Sequence, residues 1–146
     1  MGIIRILVEV SLGLMYQCFL LPFGYFLVIR YFMEINVLTV IDILQQTKSI
    51  DGRYTNFPVT HVNDHVIRAS VMTEPFYWHM HPNSDESFLV VEGSIFIDLE
   101  DRTVELFPGQ FFTIPRNIKH RTRPNGERSV NVTFELRDME TIRLDQ

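Results

Sequence analysis

The feature that most restricts this chain is the rhythm that begins at Asp64. From there to Arg137, short runs alternate between apolar and polar residues. Gly, Pro, Asn and Asp cut those runs about every eight to twelve residues. The runs 65–73, 76–81, 86–92, 94–100, 103–107, 110–114 and 129–137 read as strands. In the fourth, Ile95, Ile97 and Leu99 share one face and Asp98 and Glu100 the other, as the two-residue period of a strand requires. Gly93, Asp101-Arg102, Pro108-Gly109 and Asn125-Gly126 mark reversals; Pro presets φ, and Gly supplies positive φ. Roughly eight short strands at this spacing predict a sandwich, barrel or jelly roll and exclude repeated βαβ units.

The segments before Asp64 differ. Val37, Val40, Ile41 and Leu44 recur at helical spacing, which predicts a helix over 37–47 packing its apolar stripe on a sheet. Residues 53–63 are polar, contain Pro58 and read as irregular. Further upstream, residues 10–29 carry no charge, about the length of a helix that spans a bilayer. A leader over residues 1–32 is therefore expected to be separate from a domain over 33–146. Translation starting at Met33 is the preferred reading, because a complete domain with its own leading helix follows. A membrane anchor through residues 10–29 is the alternative, and a buried core helix ranks below both. A signal peptide fits poorly, since Arg5 is the only basic residue near the start and no small-residue cleavage site follows.

Charge and cysteine content narrow the function. The formal net charge is -5, so nothing calls for a nucleic-acid partner, which needs a basic face. Cys18 is the single cysteine, so no intrachain disulfide forms; a reducing, cytoplasmic setting is the expectation, with membrane association only if residues 1–32 are a true anchor. No Ser-His-Asp or Cys-His arrangement is evident.

The chemistry concentrates in two strings. His79 and His81 lie two residues apart, so on a strand both imidazoles face one way. Pro82-Asn83-Ser84-Asp85 can turn the chain and bring Glu86 onto the neighbouring strand. His120 follows 39 residues after His81. Three imidazoles and one carboxylate form a mixed N/O set suited to Mn, Fe, Co, Ni, Cu or Zn. His-x-His alone is weak, but here Glu86 and Gly93 extend it, and Gly109-x5-Pro115-x4-His120 supplies a second string.

In these strings the chain resembles the cupin superfamily, whose motifs read G-x5-H-x-H-x3,4-E-x6-G and G-x5-P-x-G-x2-H-x3-N. The first is matched from His79 to Gly93, the second at Gly109, Pro115 and His120, with fifteen residues between Gly93 and Gly109. Thr73 stands where the first motif opens with Gly, Pro124 where the second ends in Asn, and Asn117 replaces its middle Gly. The last change is mild, because Asn tolerates left-handed backbone. The resemblance covers about residues 63–136. It implies an all-β cupin jelly-roll β-barrel preceded by one short N-terminal helix, with His79, His81, Glu86 and His120 as ligands of one divalent metal (Fe, Mn, Zn or Ni). It also implies a homodimer, because small cupins often exchange strands. Sugar-phosphate isomerases share an RmlC-like, mannose-6-phosphate isomerase-like barrel, but no residue here is specific to that sugar.

A metal-dependent enzyme on a small oxygen-rich metabolite, isomerase- or dioxygenase-like, is the function expected; the alternative is a non-catalytic cupin that binds or senses a small molecule. Phe88 shares strand parity with Glu86 and is the pocket candidate, whereas Trp78 and Met80 alternate away from the imidazoles. Phe76, Phe96, Phe112 and Phe134 are further candidates for the pocket wall, with at least half of the set expected to be ordinary barrel core. Arg68, Arg121 and Arg123 can bind a carboxylate or phosphate, but Arg121 and Arg123 alternate with His120 and so turn away from it. His61 and His65 read as structural.

Overall fold

The computed structural model describes residues 5–10, 14–20, 26–31 and 38–144. The chain divides into two compact units, 1–35 and 36–146. In the first, β1 (Arg5–Val10), β2 (Leu14–Leu20) and β3 (Phe26–Tyr31) form an antiparallel meander, with Val8 opposite Tyr16 and Cys18 opposite Val28. This stretch had the length of a helical span, yet its described residues are strands. Pro22 and Gly24 fall between β2 and β3, and the strands are rich in Phe, Tyr, Val and Ile, which favour extended backbone. Among the described residues no helix is long and apolar enough to cross a membrane. Met33, the expected start, lies outside the described residues.

The second unit opens with α1 (Ile43–Thr47). The predicted helix over 37–47 is thus reduced to five residues, and Val37 lies outside the described part. Asp42 stops it from starting earlier: it is the N-cap, extended in backbone, and its carboxylate accepts from Gln45 N at 3.0 Å. The expected apolar stripe is not packed either, since Val40 is 96% exposed and Leu44 48%. Buried Thr47 anchors the turn instead, and its carbonyl accepts from Arg128 at 2.7 Å.

Ten strands follow: β4 (Tyr54–Val62), β5 (His65–Met72), β6 (His79–Met80), β7 (Glu86–Glu92), β8 (Ile95–Leu99), β9 (Thr103–Leu106), β10 (Phe111–Ile114), β11 (His120–Pro124), β12 (Ser129–Leu136) and β13 (Ile142–Arg143). They form two five-stranded antiparallel sheets, ordered β10-β7-β12-β5-β4 and β13-β6-β11-β8-β9. Most neighbours within a sheet are distant in sequence, the mark of a jelly-roll barrel. Residues 53–63, expected to be irregular, contain the longest of these strands. Pro58 misled the reading: β4 is an edge strand, where a missing N–H is tolerated, and a bulge sits between Pro58 and Thr60. The strand expected over 76–81 shrinks to His79–Met80, because β6 pairs with β11 through one residue pair and with the unanticipated β13 through two.

The barrel interior has two ends of different character. Phe88, Val90, Ile95, Ile97, Leu106 and Ile114 form one buried apolar cluster, drawn from both sheets. The other end holds buried Ser70, His79, His81, Glu86, His120, Asn131, Thr133 and Glu135. Polar groups are rarely buried without partners or a role, so the second end is where function is expected.

Candidate metal centre

Two turns and one strand pair assemble the centre. His79 on β6 lies opposite His120 on β11, and the pleat brings His81 to the same side two residues on. The 82–85 turn carries the chain to the opposite sheet, where Glu86 opens β7. Its second half is pinned: Leu136 N donates to Ser84 Oγ at 3.0 Å, and Arg116 N donates to Asp85 Oδ1 at 2.9 Å. Before Pro115-Arg116-Asn117 reaches His120, Asn117 takes φ +66 and donates its N–H to the His81 carbonyl at 2.8 Å. The Asn in place of Gly thus occupies the left-handed conformation that the motif requires.

His79, His81, Glu86 and His120 are all buried, and one ligand atom from each lies within 4.8 Å of the others. Glu86 Oε2 sits 3.1 Å from His81 Nε2 and 3.2 Å from His120 Nε2. Metal bonds of about 2.1 Å at right angles put neighbouring ligand atoms about 3 Å apart, so these separations suit one ion. Each imidazole has its Nδ1 at 2.9 Å from a backbone carbonyl, that of Tyr77, Glu140 or Ile118 respectively. Those carbonyls fix one tautomer, with Nδ1–H donating and Nε2 free to face the centre.

The local charges are coupled. Burial pushes the Glu86 carboxyl up, but hydrogen bonds with His120 and His81 outweigh it and hold it at about 2. Burial likewise disfavours a charged His81, and the Glu86 carboxylate overcomes it, so that imidazole is raised. Burial, helped by His120, drives His79 down to about 4. Glu86 is thus an anion held among three nitrogens, an arrangement a cation completes by replacing the shared proton.

A cavity of about 20 Å³ adjoins the centre, lined by Tyr54, Ser70, Met72, Phe76, His79, Glu86, Phe88, Thr122, Asn131 and Thr133. Phe88 is therefore both in the apolar cluster and on the cavity wall. Phe76 also reaches it, stacked on Tyr54 with ring centroids 4.6 Å apart. Trp78 points elsewhere, with Lys119 and Arg121 over its ring at 5.4 and 5.1 Å. Arg121 and Arg123 both donate to Asp98 Oδ2 at 2.9 Å, so neither is turned toward the centre. Arg68 is different: its guanidinium pairs with Asn56 and lies 3.7 Å from Glu135. His61 and His65 are exposed and take no part.

Sequence reasoning missed the polar wall. Asn131, Thr133 and Glu135 alternate with Val130, Val132 and Phe134 on β12, so one face of a central strand is polar from end to end. That period was legible; its direction, inward, was not. Burial pushes Glu135 up, Glu86 adds to it, and Arg68 only partly offsets them, leaving the carboxyl at about 7.

The cupin-domain profile matches residues 70–134. The uncharacterized protein YdbB of Bacillus subtilis (strain 168) is 36% identical over 106 residues, 72% of this chain and 93% of its own length. The chain belongs to the cupin family. Solved structures agree on the fold of this cupin. A cupin-2 domain protein from Shewanella frigidimarina superposes with a TM-score of 0.63 at 24% identity, covering 67% of this chain and 95% of that one. The polyketide cyclase RemF from Streptomyces resistomycificus does so with a TM-score of 0.56 at 20% identity, covering 64% and 72%.

Proposed function

We propose that this cupin binds one divalent metal through His79, His81, Glu86 and His120 and acts as a metal-dependent enzyme on a small oxygen-rich metabolite. One observation carries the reading: three imidazole nitrogens and a carboxylate oxygen meet within 4.8 Å, each ring oriented by a backbone carbonyl. The donor chemistry fits iron, manganese, zinc or nickel. Such an ion, when bound, supplies Lewis acidity and, with one anionic ligand, a net charge of +1 that favours anionic or enolic oxygen.

The chain's own residues do the rest. Phe76 and Phe88 line the cavity, and Glu135, on the same polar face of β12 as the cavity-lining Thr133, offers a carboxyl able to hold or release a proton near neutrality. RemF, which shares the fold, is a polyketide cyclase, and a carbonyl-bearing substrate is accordingly the class proposed. The second reading is a non-catalytic cupin that binds a small molecule. Turnover that is lost in His81→Ala supports the first; ligand-dependent stabilisation without turnover supports the second. The same proposal places the protein in the cytoplasm as a homodimer, for which Phe107 and Phe111, exposed at and beside edge strand β10, offer apolar surface.

A further inference from the structure

The three imidazoles are not oriented in the same way. His79 and His120 each donate from Nδ1 to a carbonyl two residues back in their own segments, those of Tyr77 and Ile118. His81 Nδ1 donates instead to the Glu140 carbonyl, 59 residues further along the chain, at 2.9 Å. Thr141 Oγ1 lies 3.3 Å from the same nitrogen. Two of the rings are thus set by local backbone, whereas His81 depends on the C-terminal segment being docked.

Little apolar packing holds that segment. Residues 137, 138 and 140–143 are exposed. β13 contributes two residue pairs to β6, and Leu144 N donates to the Trp78 carbonyl at 2.9 Å. A short exposed segment held mainly by hydrogen bonds opens more readily than the strands of a core. Asn83 clamps it at Glu140 itself. Its Nδ2 donates to the Asp138 carbonyl at 3.0 Å, and its Oδ1 accepts from Glu140 N at 2.9 Å. An amide offers a donor and an acceptor on adjacent atoms, so one side chain fixes the backbone on both sides of Met139. Asn83 also belongs to the turn that joins His81 to Glu86.

We propose that Asn83 is a positioning residue for the metal centre: it holds the Glu140 carbonyl in place, and that carbonyl turns His81 Nε2 toward the other ligands. The proposal rests on the metal reading, in which Nε2 must carry no proton. Loss of the clamp frees the ring to rotate or to hold its proton on Nε2, and either takes one donor out of the set.

The test measures Zn²⁺ affinity by competition with a chelating dye on wild type, Asn83→Ala and Asp98→Asn. In parallel, NMR reads the contact between the His81 ring and the Thr141 side chain in metal-free protein. Asn83→Ala is expected to bind Zn²⁺ about tenfold more weakly than wild type, the usual effect of removing a partner that orients a ligand. Its melting temperature is expected to stay close to wild type, because both lost bonds are exposed. The His81–Thr141 contact is expected in wild type and lost in Asn83→Ala. Asp98→Asn, which weakens the barrel elsewhere, is expected to keep both the affinity and the contact. Wild-type affinity in Asn83→Ala, a ring contact that survives there, or an equal loss of affinity in Asp98→Asn would overturn the proposal. If wild-type protein binds no Zn²⁺, the metal reading fails by itself, and the role of Asn83 is still read from the ring contact.

Discussion

Glu86→Gln keeps the shape of the side chain and removes its charge, so metal loading is expected to fall at least tenfold while circular dichroism stays unchanged. Retained loading would show that Glu86 is not a ligand. Gly93 makes a different prediction. It holds φ +68, and a Cβ there would lie 2.5 Å from the Arg128 carbonyl oxygen. Gly93→Ala is expected to cost about 2 kcal/mol or more, measured by urea denaturation. The clustering of His79, His81 and Glu86 was legible because spacing puts the two imidazoles on one face and Glu86 across one turn, whereas His120 joined them only through the second motif of the family resemblance. Asn131 and Glu135 were not legible, because parity says which residues share a face but not which face looks inward.

At the scale of elements, β8 and β11 are tied on the barrel's outer face by Asp98. Burial alone would raise its carboxyl, but hydrogen bonds from Arg123, Thr103 and Arg121 outweigh it and hold it at about 2. A carboxyl depressed from its usual 3.8 stabilises the fold above that pH and loses its contribution as pH falls toward about 2. Asp98→Asn is therefore expected to lose about 2 kcal/mol at pH 6 and to differ little from wild type at pH 2. Equal stability at pH 6 would contradict the pairing. Strands β5, β7, β8, β9, β10 and β12 were readable to within a residue or two, because alternation is bounded by real turns. β4 was hidden by Pro58 and by its polar inward residues. β6 and β13 are too short for any period to register.

At the scale of the molecule, one barrel holds an apolar end for stability and a polar end whose charges oppose one another. Glu135 is raised from 4.5 to about 7, so it is stabilising when protonated, and that contribution declines as pH rises from about 4.5 to 7. Metal-free Glu135→Gln is expected to flatten that part of the stability profile, by on the order of 2–3 kcal/mol. An unchanged profile would remove Glu135 from the coupled set. The barrel itself was legible from turn rhythm, whereas the strands within residues 5–31 were not, since apolar length alone does not separate helix from strand. The central claim is the metal centre. Elemental analysis of untagged protein, purified at neutral pH without chelator, is expected to find about one divalent ion per chain in wild type and almost none in His81→Ala; no metal above background in wild type, or equal metal in both, would contradict it.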